Sequence, residues 1–359
     1  MKALSIGDLN INLPIIQGGM GIGISMSRLA SAVANEGGVG VIAAVGLGMF
    51  EKNYARDFMD ANLRALKREI QTAREKTNGV IGVNIMVALT NFSDLVKTAI
   101  SEKVDIIFSG AGLPMNLPEY LTAEAKTKLV PIVSSGRAAA ILCKKWKDLY
   151  NYLPDAFVVE GPKAGGHLGF KREQLDNPDF ALEKLVPDVV SSVKPFEEKY
   201  NKSIPVIAAG GIYTGADIKN ILDLGASGVQ LGTRFVTTHE CDASEDFKQT
   251  YINSSESDME IIQSPVGMPG RAIKNEFIEK INRGEKRPVK CPYKCLKTCD
   301  VAKTPYCIFA ALMSAMRGNF LNGYAFAGAN AYKTSKIVSV KETFAELLQE
   351  FKEAVDIRK

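Results

Sequence analysis

A chain of 359 residues, 46% hydrophobic and 23% charged, carries enough apolar material for a large core, which excludes a disordered polymer. Its formal charge of +4 is small and spread along the chain, so it leaves no footprint for nucleic acid or an anionic membrane and points to a small-molecule ligand. No apolar run reaches the roughly 18 residues that span a bilayer, and the first residues, Met1 to Asp8, show no leader pattern. The expected location is cytoplasmic, where six cysteines suggest metal or redox chemistry rather than a disulfide framework.

In chain order, short β-branched apolar runs occupy residues 14–17, 39–43, 80–86, 104–108, 130–133, 156–159, 205–209 and 228–235. Amphipathic stretches at 27–35, 50–77, 137–150, 182–200 and 215–224 separate most of them and fit crossover helices. Eight alternating units predict a parallel sheet closed into a (β/α)8 TIM barrel, α/β in class, over residues 1–236. Residues 237–318 read as an inserted helical lid without a convincing strand, and residues 319–359 as the return that closes the barrel.

Small or polar residues end most of these strands: Gly18-Gly19, Asn84, Ser109-Gly110, Ser134-Ser135-Gly136, Gly161, Gly210-Gly211 and Gly232-Thr233. Any one glycine could simply punctuate a loop. Together on the C-terminal rim of a barrel they predict a ligand. The segment Ala208-Ala209-Gly210-Gly211-Ile212, followed one strand later by Gly232-Thr233-Arg234-Phe235, has the form of an FMN phosphate site: the glycines let backbone N–H groups approach an anion, and the helix start at Thr214 would add its dipole.

The chain resembles the nitronate monooxygenase family, formerly the 2-nitropropane dioxygenases, which includes the flavin-dependent enoyl-[acyl carrier protein] reductases. The resemblance runs through Pro14-Ile15-Ile16-Gln17-Gly18-Gly19-Met20-Gly21, Gly82-Val83-Asn84, Glu160-Gly161-Pro162-Lys163-Ala164-Gly165-Gly166-His167-Leu168-Gly169, Ala209-Gly210-Gly211-Ile212, Gly232-Thr233-Arg234-Phe235 and Ser264-Pro265-Val266-Gly267-Met268-Pro269-Gly270-Arg271-Ala272. It implies that Gly19, Met20 and Gly21 lie along the isoalloxazine ring, that Asn84 hydrogen-bonds to the flavin, and that Gly210, Gly211, Gly232 and Thr233 hold the phosphate. Ser134 and Gly166 complete the expected cofactor-binding set.

Of the two histidines, His167 stands in a glycine-flanked loop after the sixth strand, where an imidazole can meet ligand and flavin together. The resemblance makes it the catalytic residue. His239 receives no role, and Lys163 reads as a solvated loop lysine, with neutralisation of an anionic substrate or flavin as the alternative. The activity implied first is oxidation of alkyl nitronates with O2, His167 being the base that deprotonates the neutral nitroalkane. The alternative is an NAD(P)H-dependent reductase acting on an enoyl thioester; no G-x-G-x-x-G fingerprint follows a strand, yet a dinucleotide can dock directly over a barrel flavin. A non-enzymatic flavin or iron–sulfur redox sensor is a third reading, and the partners expected are a small-molecule substrate and a second copy of the chain.

Cys291, Cys295, Cys299 and Cys307 follow the spacing C-x3-C-x3-C-x7-C. Four-residue steps on a helix drift by only about 40° each, which would bring three thiols to one side, with the fourth returning after Pro305. Four thiolates suit a [4Fe–4S] cluster or a zinc ion, and the absence of tight C-x2-C knuckles favours the cluster. Packing as small apolar residues is the alternative.

Overall fold

Short, uniformly apolar runs have no wet face to offer, so they fold as strands covered on both sides. The structure is a computed structural model that describes residues 1–52, 54–287, 291 and 293–357. It places the runs as Ile15–Gln17, Val39–Ala43, Val80–Met86, Ile106–Gly110, Lys128–Val133, Phe157–Glu160, Val206–Ala209 and Gly228–Leu231. They pair in parallel in chain order, and the eighth returns to the first with Gln230 opposite Ile16, closing the barrel. The eighth strand stops at Leu231 and gives way to the short helix Thr233–Val236, earlier than its apolar run suggests.

Ile16, Val41, Phe108, Val130, Val158 and Ile207 fill the barrel interior. Leu4, Ile6 and Ile11 plug its lower end from an antiparallel hairpin, Leu4–Ile6 with Leu9–Ile11. Pairing of the first and second strands covers one residue pair, Ile16 with Val39. The buried Gln17 side chain extends it, its Oε1 accepting from the Val41 N–H at 2.9 Å.

Helices Ser27–Asn35, Phe58–Lys76, Phe92–Ser101, Gly136–Tyr150, Leu182–Tyr200 and Gly215–Asp223 cover the outside. After the fourth strand the described residues form only the 3-10 turn Leu117–Tyr120. The last helix, Val340–Asp356, starts at Ser339, whose hydroxyl accepts from the Glu342 N–H, and packs against both Gly215–Asp223 and Ser27–Asn35. It thus holds the place of the eighth barrel helix.

Between the eighth strand and that helix the chain is not all helical, which corrects the sequence reading of this stretch. Helices Glu245–Ile252, Glu276–Asn282 and Ile308–Met316 are present, but so are strands Met259–Gln263 and Pro269–Ile273, paired antiparallel. The second of them also pairs with Gly166–His167, in the loop after the sixth barrel strand. Among the described residues no helix is long and apolar enough to cross a membrane.

Close packing of helix on barrel depends on Gly40. A Cβ there would lie 1.8 Å from the Ala30 carbonyl oxygen in helix Ser27–Asn35. Backbone cannot yield as a side-chain tip can, so Gly40→Ala is expected to destabilise by about 1–3 kcal/mol, read as a lower denaturant midpoint with unchanged slope.

Candidate functional site

The loops at the C-terminal strand ends surround a cavity of about 860 Å³. Its lining includes Gly19, Met20, Gly21, Asn84, Ser134, Gly166, His167, Gly210, Gly211, Gly232 and Thr233, every residue expected at a cofactor or catalytic position apart from the cysteines. Gly19 abuts Asn84 so closely that a Cβ on it would be 2.3 Å from the Asn84 Cβ. The Met20 N–H donates to Ser25 Oγ at 2.9 Å and its carbonyl accepts from the Ser25 N–H at 3.0 Å, fixing the loop after the first strand. Ser134 Oγ donates to the Gly169 carbonyl at 3.3 Å, tying the fifth strand end to the loop that carries His167.

Gly210 and Gly211 have φ of 96° and 83°, conformations that side chains rarely adopt. Asn330, from the returning segment, donates its Nδ2–H to the Gly211 carbonyl at 2.6 Å. Because the C=O and N–H of one trans peptide point in opposite directions, that clamp orients the following amide. At the start of helix Gly215–Asp223 several N–H groups already have protein acceptors. Those of Tyr213 and Thr214 each donate to Asp217 Oδ2 at 2.9 Å, and that of Gly215 donates to Glu350 Oε2 at 2.6 Å. Arg234 is committed elsewhere as well, 2.6 Å from Glu346 Oε2 and 5.0 Å from the centre of the Tyr213 ring.

His167 is held by the inserted strand Pro269–Ile273. Its backbone pairs with Gly270, and its Nε2 lies 2.7 Å from Ser264 Oγ, donor and acceptor depending on the tautomer. The ring meets Phe326 edge-on at 5.1 Å. Arg271 Nη1 donates to the carbonyls of Pro162 at 2.6 Å and Ala164 at 2.8 Å, so a buried guanidinium staples the loop leading to His167. Ser264 and Arg271, which the sequence offers only as family markers, are thus the residues that position the His167 loop; their motif was the signal.

Glu160 is the other residue missed. It ends the sixth barrel strand, lines the cavity and immediately precedes the loop that carries His167. Burial alone pushes its carboxyl up to about 7, and burial alone pushes the His167 imidazole down to about 4. Both touch the cavity yet sit deep among protein atoms, and desolvation disfavours the charged form of each. A charged residue at the C-terminal end of a barrel strand was the available signal. Lys163 stands exposed at the rim, and His239 does not line the cavity.

The cysteine segment differs from expectation. Lys294 has a φ of 44° and the described residues between Cys291 and Cys299 form no helix. Instead their backbone clips onto the loop after the third strand: Thr90 N–H donates to the Cys295 carbonyl and Lys297 N–H to the Ala88 carbonyl, each at 3.0 Å. Among the described residues no group of three or more His, Cys, Asp or Glu side chains forms a ready metal-ion site. None of the six cysteines is in a disulfide.

The family model described as nitronate monooxygenase matches residues 2–350. A probable nitronate monooxygenase of Staphylococcus aureus (strain MSSA476) is 31% identical over 313 residues, covering 77% of this chain and 79% of its own length. Among solved structures, FabK from Thermotoga maritima aligns with a TM-score of 0.74 at 30% identity, covering 96% of this chain and 94% of that one. Nitroalkane oxidase from Streptomyces ansochromogenes aligns with a TM-score of 0.74 at 22% identity, covering 97% and 98%, which speaks for the fold.

The opposite shifts of Glu160 and His167 give stability a defined pH dependence. Folding takes up a proton on Glu160 between the ordinary carboxylate range and about 7, so its contribution is lost as pH rises through that window. His167 acts in the reverse sense, its contribution being lost as pH falls from the ordinary imidazole range toward about 4. Apoprotein carrying Glu160→Gln should therefore gain in thermal midpoint over the unsubstituted apoprotein between about pH 5 and about pH 8. An unchanged difference across that range would place the Glu160 carboxyl in water.

Proposed function

We propose, from the premise that this chain belongs to the nitronate monooxygenase family and is an oxidoreductase, that it binds FMN on the barrel rim and oxidises alkyl nitronates with O2. The fit rests on the shape of the rim. At Gly210 a Cβ would come within 2.9 Å of the Gly161 carbonyl oxygen, and at Gly211 within 2.8 Å of the Lys163 Cβ, so side chains are excluded at this strand end and glycine backbone forms that part of the cavity wall. In this reading Gly210, Gly211, Gly232 and Thr233 hold the phosphate, Gly19, Met20 and Gly21 flank the ring, and Asn84, Ser134 and Gly166 complete the contacts. One phosphate cradle suits FMN rather than FAD. Bound there, FMN supplies the electron-accepting chemistry.

The observation that carries the reading is the desolvated imidazole of His167 on the wall of the same cavity, held at 2.7 Å by Ser264. Kept uncharged through the neutral range, the imidazole is in the form able to accept the proton from the carbon beside a nitro group. Met86, Ile132 and Phe170 offer apolar surface for an alkyl chain and keep water from that proton.

A second reading has its own support. Leu296, Ile308, Phe309 and Leu312 add apolar surface to the cavity wall that could take a longer acyl chain. FabK, of the enoyl-[acyl carrier protein] reductase branch, is among the structural neighbours. On that reading NAD(P)H is the electron donor, an enoyl thioester the acceptor, and His167 positions or protonates the substrate.

Anaerobic titration of the purified flavoprotein with a nitronate, NADH and NADPH distinguishes the two. Bleaching by the nitronate supports the oxidase; rapid bleaching by NAD(P)H with none by nitronate supports the reductase and overturns the first reading. In whichever reaction is found, His167→Ala should keep the flavin and lower kcat by about 10²- to 10⁴-fold. Full turnover in that variant would remove the imidazole from the chemistry.

A further inference from the structure

The segment from Cys291 to Cys307 takes no part in the reading above, yet its four thiols are gathered. Cys291, Cys295, Cys299 and Cys307 all border one small cavity of about 20 Å³. Its remaining described walls come from Pro265, Val266, Leu296, Val301, Thr304, Tyr306 and Ile308, so among the described residues no carboxylate, imidazole or cationic side chain faces it.

Cysteines used as small apolar filler look different in this same molecule. Cys143 and Cys241 are fully buried, each with a relative exposure of 0%, inside helix and loop packing. Cys291, Cys299 and Cys307 are only partly buried and belong to a segment whose described residues have little regular structure. Gathering four thiols around one space from such a segment, at the cost of ordering it, calls for something that the thiols bind.

We infer that Cys291, Cys295, Cys299 and Cys307, converging on one sulfur-lined cavity, are the ligands of a thiolate-held soft metal centre. An all-sulfur donor set selects iron–sulfur clusters or zinc over hard cations. As they stand, the described side chains form no ready single-ion site. Zinc would draw its sulfurs to about 3.8 Å from one another, whereas a polynuclear cluster accepts its thiolates at separate corners, and metal and sulfide analysis separates the two.

The centre would hold the wall of the larger cavity. Leu296 and Ile308, the chain neighbours of Cys295 and Cys307, line both cavities. Tyr306, beside Cys307, continues a line of packed rings: Tyr324 at 6.0 Å, then Phe326 at 5.2 Å, then His167 at 5.1 Å. Metal at the cysteines would thus brace the surface against which the imidazole rests.

The test is metal and acid-labile sulfide analysis of anaerobically purified full-length protein, before and after reconstitution with ferrous iron and sulfide or with zinc. Bound iron with matching sulfide, or bound zinc without it, supports the centre and identifies it. Metal-free protein after both treatments overturns it. The double variant Cys295→Ser/Cys299→Ser should lose the metal while Cys143→Ser and Cys241→Ser keep it; equal metal in the double variant also overturns the assignment. Since the double variant could fold poorly, thiol titration of the unsubstituted protein gives an independent reading. The four cysteines should resist a thiol reagent until metal is removed, and free reaction beforehand in the native, metal-replete protein contradicts the proposal.

Discussion

Antiparallel pairing of Gly166–His167 with Gly270–Arg271 is the contact on which the site depends. The sixth barrel strand ends at Glu160, and the loop beyond it has no regular structure to place an imidazole. The inserted strand supplies that order: Gly270 pairs with His167, Ser264 reaches its ring, and Arg271 binds two carbonyls of the approach. Gly270 has to be glycine, since a Cβ would meet the Phe326 ring at 2.8 Å. Burying a guanidinium is costly unless its hydrogen bonds are made, so the Arg271 contacts and the loop conformation require each other.

From this contact follows the electrostatic character of the cavity. Two titratable groups, at one strand end and on the loop beyond it, are shifted in opposite directions by the same cause, and both favour the uncharged state near neutrality. Of the cations around it, Arg271 serves the loop and Arg234 pairs with Glu346, while Lys163 and Lys171 line the cavity with exposed side chains. An anionic group entering here would meet these two lysines as well as glycine-rich backbone.

Most of the barrel was legible because its strands are continuous apolar runs whose burial does not depend on register; helices Ser27–Asn35 and Leu182–Tyr200 have the limits that their apolar periodicity predicts. Strands Met259–Gln263 and Pro269–Ile273 were not, being short, broken by Pro265 and Gly267, and completed by a partner far away in the chain. The helix expected through Cys291–Cys299 rested on four-residue spacing alone. Lys294 in a left-handed conformation and backbone bonds to Ala88 and Thr90 override it. Glu160 escaped notice because nothing in a lone carboxyl announces burial, whereas the glycine-rich ends announce close approach through residue type itself.

The account stands or falls on the state of His167. Because the chain has two histidines, ¹⁵N-labelled imidazole signals can be assigned by comparison with a His239→Gln variant. Followed by NMR against pH in folded protein, the His167 ring is predicted to stay neutral until about 4. Titration of His167 in the ordinary range near 6.5 would mean that the ring is solvated, that the inserted strand does not bury it, and that the site is not built as described.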